Sequence, residues 1–320
     1  GPKADRLKLM KATEANDEQI FMLYDDPESR INAIIDQQIT GASPLMEVTD
    51  EDGALHKLYR ISRPGAVMDI AEILEGKDLY IADGHHRYET AVDYLKYCRS
   101  RRWEAMTAES FTHRMMTIVN IHDPGLTVLP THRIVHSLEK YNPANLLKRA
   151  AENFDIEEHS NRDSVYEALD QAAVAGNIAI GFGSIDVDGY RLFKLRDPNL
   201  MNRLVTEERC EAWRRLGVTV LHTALLDKLL GIDDAKLSAY ANVRYIRGRD
   251  KALDAVGEAG IQAAFLLNPT RTEQVREVAS AGERMPPKST DYFPKLLTGM
   301  VMMKMTIDKS MGLALYEAEE

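Results

Sequence analysis

The sequence predicts an α+β (mixed α/β) chain, and three observations carry that prediction. Strand-like and helix-like hydrophobic periods alternate along all 320 residues, with no internal repeat and no low-complexity tract. Some neighbouring strand patterns are joined by tight turns, as antiparallel pairing requires, and others by helical crossovers; this mixture excludes a doubly wound parallel sheet. Finally, 320 residues at roughly 150 per domain correspond to about two domains.

The elements follow in order. Leu7, Met10, Lys11 and Glu14 fit a first amphipathic helix. "QIFMLY" (19–24) reads as a strand, and Pro27 then opens a helix carrying Ile31, Ile34, Ile35 and Gln38. "PLMEVT" (44–49) and "ALHKLYRI" (54–61) form a hairpin turned on Asp52-Gly53. A helix over 66–77, a short strand from Leu79 to Ala82 and a long helix from His86 to Arg99 come next. Two strands, "MMTIVNI" (115–121) and "LTVLPTHRIV" (126–135), flank the turn Asp123-Pro124-Gly125. Beyond them lie helices 143–153 and 161–175, strand 177–182, a hairpin on Asp188-Gly189 and a helix over 218–230. Strand, helix, strand and helix continue to Gly282, and a final helix is expected over 293–303. A boundary near 136 divides the chain into domains 1–136 and 137–320.

Composition excludes several function classes. With 40 basic and 50 acidic residues the formal charge is −10, which is no footprint for nucleic-acid phosphates. Cys98 and Cys210 are too few for a disulfide framework or a thiolate zinc site, so a reducing cytoplasm is expected. The most apolar stretch, Leu296 to Met303, is far short of the roughly 20 residues of a membrane span. No signal peptide is visible. Because Gly1 stands where a Met would, a processed, tagged or truncated chain is expected.

The strongest chemical signal is "LYIADGHHRYETA" (79–91). An apolar strand stops at Asp83-Gly84 and a helix follows. Gly84 permits a tight turn and close backbone approach, and Asp83 is placed to cap the helix. The amides of His85, His86 and Arg87 would then lie in the first helical turn, where unpaired N–H groups and the dipole favour an anion. Arg87 adds a phosphate fork and the histidines two more donors. A capped strand–helix turn with solvated polar residues is the plainer alternative.

A second signal is "ERMPPKSTDYFPKLL" (283–297). Gly282 to Ser289 is spaced like G-x-x-x-x-G-K-S/T, but Pro287 replaces the second glycine and cannot take its φ, so this is no Walker A loop. Lys288, Ser289 and Thr290 before a helix could still offer an ammonium and two hydroxyls to an anion, or simply cap that helix. His132 and His136 stand four apart in a strand pattern, which favours a structural role over a metal site. The arginines of 98–103 and 243–251 read as a helix end and a strand end, and the methionines of 300–305 as core.

Taken together, "GPKADRLKLM" (1–10), "IADGHHRYETA" (81–91), "LPTHRIV" (129–135) and "MPPKSTDYFPKLL" (285–297) resemble the bacterial and archaeal family known as domain of unknown function 1015. Members usually carry a further N-terminal segment ending in a His-Glu pair, so an acidic catalytic residue held there is expected to lie outside this chain. The "DGHHR" turn is also similar to the phosphate-binding turn of the ParB, sulfiredoxin and free-serine-kinase group. That resemblance implies a ParB/sulfiredoxin-like core in domain 1–136 and a second α/β domain. It also implies phosphate binding by Gly84, His85, His86 and Arg87, and an acidic role for Asp83 toward metal or substrate. Sulfiredoxin chemistry needs a cysteine where His85 and His86 stand.

The resulting expectation is a small-molecule phosphotransferase or phosphatase that binds a nucleotide such as ATP or ADP. Family association with serine biosynthesis implies serine or phosphoserine as substrate. Arg87 would neutralise developing charge, and His85 or His86 would act as donor or general acid/base. Lys288 and Ser289, with Lys3 and Arg6, would hold a second phosphate, and Asp83 would ligate Mg²⁺. The alternatives are a non-catalytic sensor of nucleotides or phospho-metabolites and a ParB-like nucleic-acid module.

Overall fold

The computed structural model describes residues 2–51, 53–293 and 295–310, and it is an α+β structure. Contacts divide it into two units, one running to Thr127 and resuming at Tyr292, the other spanning Val128–Asp291. The sequence reading has a single cut near 136. The difference arises because the chain returns after Asp291 to pair with early strands: Met303–Lys304 with Ala15–Asn16, and Ile307–Asp308 with Glu104–Ala105.

The first unit is built on a three-stranded sheet. Ile20–Tyr24 is its centre, antiparallel to Tyr80–Asp83 and parallel to Met116–Asn120. All five central residues are buried, as the continuous apolar run "IFMLY" requires of a strand covered on both faces. The helices Pro2–Thr13 and His85–Ser100 pack on each other over a small core of Met10, Tyr94, Cys98, Phe111 and Met305. Burial pushes the Cys98 thiol up to about 11, so it behaves as an apolar filler. The hairpin Met46–Thr49 with Leu55–Leu58 forms where expected, with Gly53 at φ +83°; Asp52 lies outside the described residues.

The second unit holds a six-stranded antiparallel sheet in the order 154–159, 190–195, 179–184, 261–266, 131–136, 243–247. Successive strand residues face opposite sides and build two cores. Val135, Ala263 and Phe265 enter one core with Phe182, Phe193 and Leu225; Ile134, Ala264 and Leu266 enter the other with Val165 and Leu169.

Three expected elements differ. Of the strands that flank Asp123-Pro124-Gly125, Met116–Asn120 lies in the first unit and Thr131–His136 in the six-stranded sheet of the second. The long run 126–135 is interrupted at Pro130, which has no N–H for a ladder. The helix expected over 293–303 is absent. Tyr292 instead lies buried in a short strand with its ring 5.3 Å from Phe21, and Gly299 takes φ +90°, a conformation no right-handed helix contains. Finally, the helical run over 217–230 is π-helical from Leu221 to Asp227.

Candidate functional site

Strand pairing assembles the site in the first unit. The parallel register sets Ile20 opposite Met116, so Glu18 and Arg114, two residues earlier on each chain, lie side by side. On the other edge Phe21 faces Asp83, which brings the turn after Asp83 against Gln19. Gly84 there has φ +98°, and a Cβ on it would stand 2.8 Å from Arg87 Nε, so both the turn and the close approach require glycine.

Asp83 does not cap the following helix. The N-cap is Gly84, no side chain closes the first turn, and the Asp83 carboxylate instead accepts from Arg87 Nη2 at 3.0 Å. Arg87 Nη1 donates to the Gln19 carbonyl at 2.5 Å, and its Nε stands 3.7 Å from Glu18. Glu18 also takes Arg6 Nη1 at 2.5 Å and the Thr298 hydroxyl at 3.4 Å. Arg114 Nη2 donates to the Glu18 carbonyl at 2.6 Å, while its Nε and Nη1 are buried with no partner among the described residues. Burial and the neighbouring Arg87 charge bring Arg114 down to about 10. Arg6, Arg87, Arg114 and Thr298 line a cavity of about 120 Å³, together with Asp17 and Glu18. That space is on the scale of one phosphoryl group.

Of the residues singled out in the sequence, Gly84, Arg87 and Arg6 meet here. Lys3 is held by carboxylates, 2.9 Å from Asp93 and 3.6 Å from Glu89; the Asp93 hydrogen bond raises its pKa. His85 and His86 are exposed, with His86 Nδ1 3.7 Å from Glu89. Lys288, Ser289 and Thr290 belong to the second unit. Lys288 has φ +58°, Ser289 Oγ donates to the Pro286 carbonyl at 2.6 Å, and the Ser289 carbonyl accepts from Thr270 at 2.8 Å. Thr290 is half-buried, and with no helix over 293–303 it caps none.

Glu18 and Arg114 were not visible as site residues, since nothing in their local sequence marks them. The same holds for Arg133 in the second unit, which is 1% exposed. It donates Nε to His222 Nε2 at 3.1 Å, Nη2 to the Lys288 carbonyl at 2.8 Å and Nη1 to the Thr131 carbonyl. None of these partners is acidic, and burial lowers Arg133 to about 10. Burial likewise brings His222 down to about 3 and His132 to about 4; Arg133 depresses both further, after Arg249 in the case of His132. His132 sits on a strand and accepts the Leu267 N–H at Nδ1, 3.2 Å away. Among the described residues no three His, Cys, Asp or Glu side chains are placed to hold a metal ion, and no helix is long and apolar enough to cross a membrane.

Fold and site together define an α+β protein with an arginine-lined pocket beside a strand–glycine–helix turn. The chain belongs to the DUF1015 family, described as "Protein of unknown function", whose model matches residues 1–219. No curated protein matches it. Similar solved structures include a free serine kinase in complex with AMP, 14% identical over 87% of this chain and 85% of that one, TM-score 0.35. Another is a conserved hypothetical protein from Pyrococcus furiosus, 15% identical over 87% and 89%, TM-score 0.37.

Proposed function

We propose that the chain binds a phosphorylated small molecule, a nucleotide such as ATP or ADP, at the Arg6–Arg87–Arg114 pocket, and that it is a small-molecule phosphotransferase or phosphatase. The carrying observation is Arg114. Its Nε and Nη1 are buried without partners among the described residues, in the wall of a cavity that two further guanidiniums line. A phosphate oxygen is the acceptor such donors lack. The first-turn amides after Gly84, uncapped by any side chain, would offer dipole-aligned donors to a phosphate that extends from Arg87 to that turn.

In this reading Arg87 and Arg114 neutralise charge on the transferring phosphoryl group, and Arg6 and Glu18 set its orientation. His85 and His86, exposed at the same turn, serve as hydrogen-bond donor or general acid/base to serine or phosphoserine. Mg²⁺ is characteristically held by one or two carboxylates plus phosphate oxygens, and Asp83, with its side chain 49% exposed, supplies one such carboxylate. The ion would neutralise charge between phosphates.

The test is thermal unfolding of the wild type, Arg87→Ala and Arg114→Ala against ATP, ADP, AMP, pyrophosphate, phosphoserine and serine, with and without Mg²⁺. A ligand at 100 times its Kd adds about 2.7 kcal/mol, which is expected in the wild type and lost in both variants. No shift with any ligand, or a shift kept in both variants, overturns the pocket. Saturable binding with no turnover of nucleotide, serine or phosphoserine overturns the enzymatic part and leaves a binding protein.

A further inference from the structure

The second unit contains its own cavity of about 380 Å³, more than three times the space beside Arg87. It opens at one end of the six-stranded sheet, where Thr131 and Arg133 begin one strand, Ala179 begins another, and Leu195 and Leu267 lie at or just past the ends of two more. Irregular backbone leaves each of these strands at that end. The side chains there are free to converge because the ladder no longer constrains them.

The charge on its walls is the informative part. Arg133, Arg215 and Arg271 line the cavity against one acid, Glu277, in a chain whose total is −10. Arg133 is 1% exposed, and its three bonds run to an imidazole and two carbonyls, so its positive charge meets no carboxylate. Its guanidinium also stands 5.2 Å from the Tyr245 ring, so among the described residues this buried charge is met by neutral groups and has no counter-ion. Arg215 is partly neutralised by Glu211 at 2.6 Å, whereas Arg271 is exposed at the N-cap of the nine-residue helix Thr272–Ser280. The N-terminal end of that helix, which carries the same sign, lies beside the lining residues Pro269, Thr270 and Arg271. Its remaining walls are apolar at Ile178, Val218 and Leu267, with hydroxyls from Thr131, Thr270 and Ser289. Such a volume exceeds a bare phosphate, and walls of this kind suit a molecule with an apolar body and one anionic end.

We infer that the second unit carries a separate binding site for a small organic oxyanion, phosphate or carboxylate, held between Arg133 and Arg271. The site is independent of the pocket beside Arg87 and of the reading given for it.

The experiment is calorimetric titration of the full chain with AMP, 3-phosphoglycerate, succinate and inorganic phosphate, in the wild type, Arg271→Ala, Arg271→Glu and Arg87→Ala. Arg271 is exposed, so its variants fold, which a Tm measurement confirms. Trp213, next to the lining residue Ala212, gives a second readout once Trp103 is replaced by Phe. Saturable binding with a Trp213 fluorescence change is expected for at least one organic probe, tighter than for inorganic phosphate. It should survive Arg87→Ala, weaken at least tenfold in Arg271→Ala and vanish in Arg271→Glu. Phosphate-bearing and carboxylate probes then tell which oxyanion the site prefers. Absence of binding by every probe at millimolar concentration, or wild-type binding in Arg271→Glu, overturns the site. Binding that disappears only in Arg87→Ala assigns the ligand to the other pocket and overturns it too.

Discussion

The two units hold their arginines in opposite ways. Beside the glycine turn, Arg6 and Arg87 flank the Glu18 carboxylate at 2.5 and 3.7 Å, with side chains 43% and 16% exposed. In the larger unit Arg133 is fully enclosed and bonded only to neutral acceptors. The contrast follows from what surrounds them. A three-stranded sheet with a small core leaves its edge wet, so charges there are screened and can exchange partners. A six-stranded sheet with a core on each face excludes water, and a charge inside it must be matched by hydrogen-bond geometry alone. The first arrangement lets charged partners exchange; the second holds one cation fixed among neutral groups.

Replacing Arg133 by Ala is the most severe way to break this comparison. It strands the Lys288 and Thr131 carbonyls and opens a void beside His222, for an expected loss of about 3 kcal/mol in urea unfolding. A loss under about 1 kcal/mol would show that the burial of this charge already costs as much as its bonds contribute.

Acid should separate the units next. His132 and His222 are held near 4 and 3, so the unfolded chain takes up their protons first as pH falls below about 6.5. Their stabilisation is complete above that value and is lost from about 6.5 down to about 4 for His132 and about 3 for His222, at up to ~1.4 kcal/mol per pH unit for each imidazole. Both lie in the second unit, and each unit holds one tryptophan, Trp103 or Trp213. Single-tryptophan variants followed by fluorescence should show Trp213 released at higher pH than Trp103; simultaneous release would make the two units one cooperative block.

Gly84→Ala sharpens the comparison at the other pole. A non-glycine residue at φ +98° whose Cβ lies 2.8 Å from Arg87 Nε should cost about 1–2 kcal/mol and displace that guanidinium. Loss of the nucleotide-induced Tm shift is expected with it. A variant that keeps the full shift would detach the turn from ligand binding.

The strand–glycine–helix turn was legible because its signals are local: an apolar strand, a glycine and an amphipathic helix within some twenty residues. The pocket around it was not. Glu18 and Arg114 are 96 residues apart and meet only because Ile20–Tyr24 pairs in parallel with Met116–Asn120. Periodicity does not say which strands pair, and the local turn at 123–125 carries no information on the partner of Met116–Asn120. The missing helix over 293–303 has a related cause. Its apolar residues do recur at helical spacing, but burial of Tyr292 against Phe21 and the positive φ of Gly299 outweigh that weak preference. Long-range burial overruled local pattern wherever the chain crossed between units.

That crossing has a consequence for biosynthesis. Val128–Asp291 is one uninterrupted stretch, whereas the unit around Gly84 draws on residues made both before and after it. On the ribosome, where domains fold as they emerge, the second-encoded unit can close first. The first-encoded one waits with its edges at Ala15–Asn16 and Glu104–Ala105 unpaired until Met303–Asp308 is translated. A chain stopped at Asp291 would therefore release one finished unit attached to one that holdase chaperones should retain, and the pocket beside Arg87, lacking Thr298, would be among the last parts of the protein to come into being.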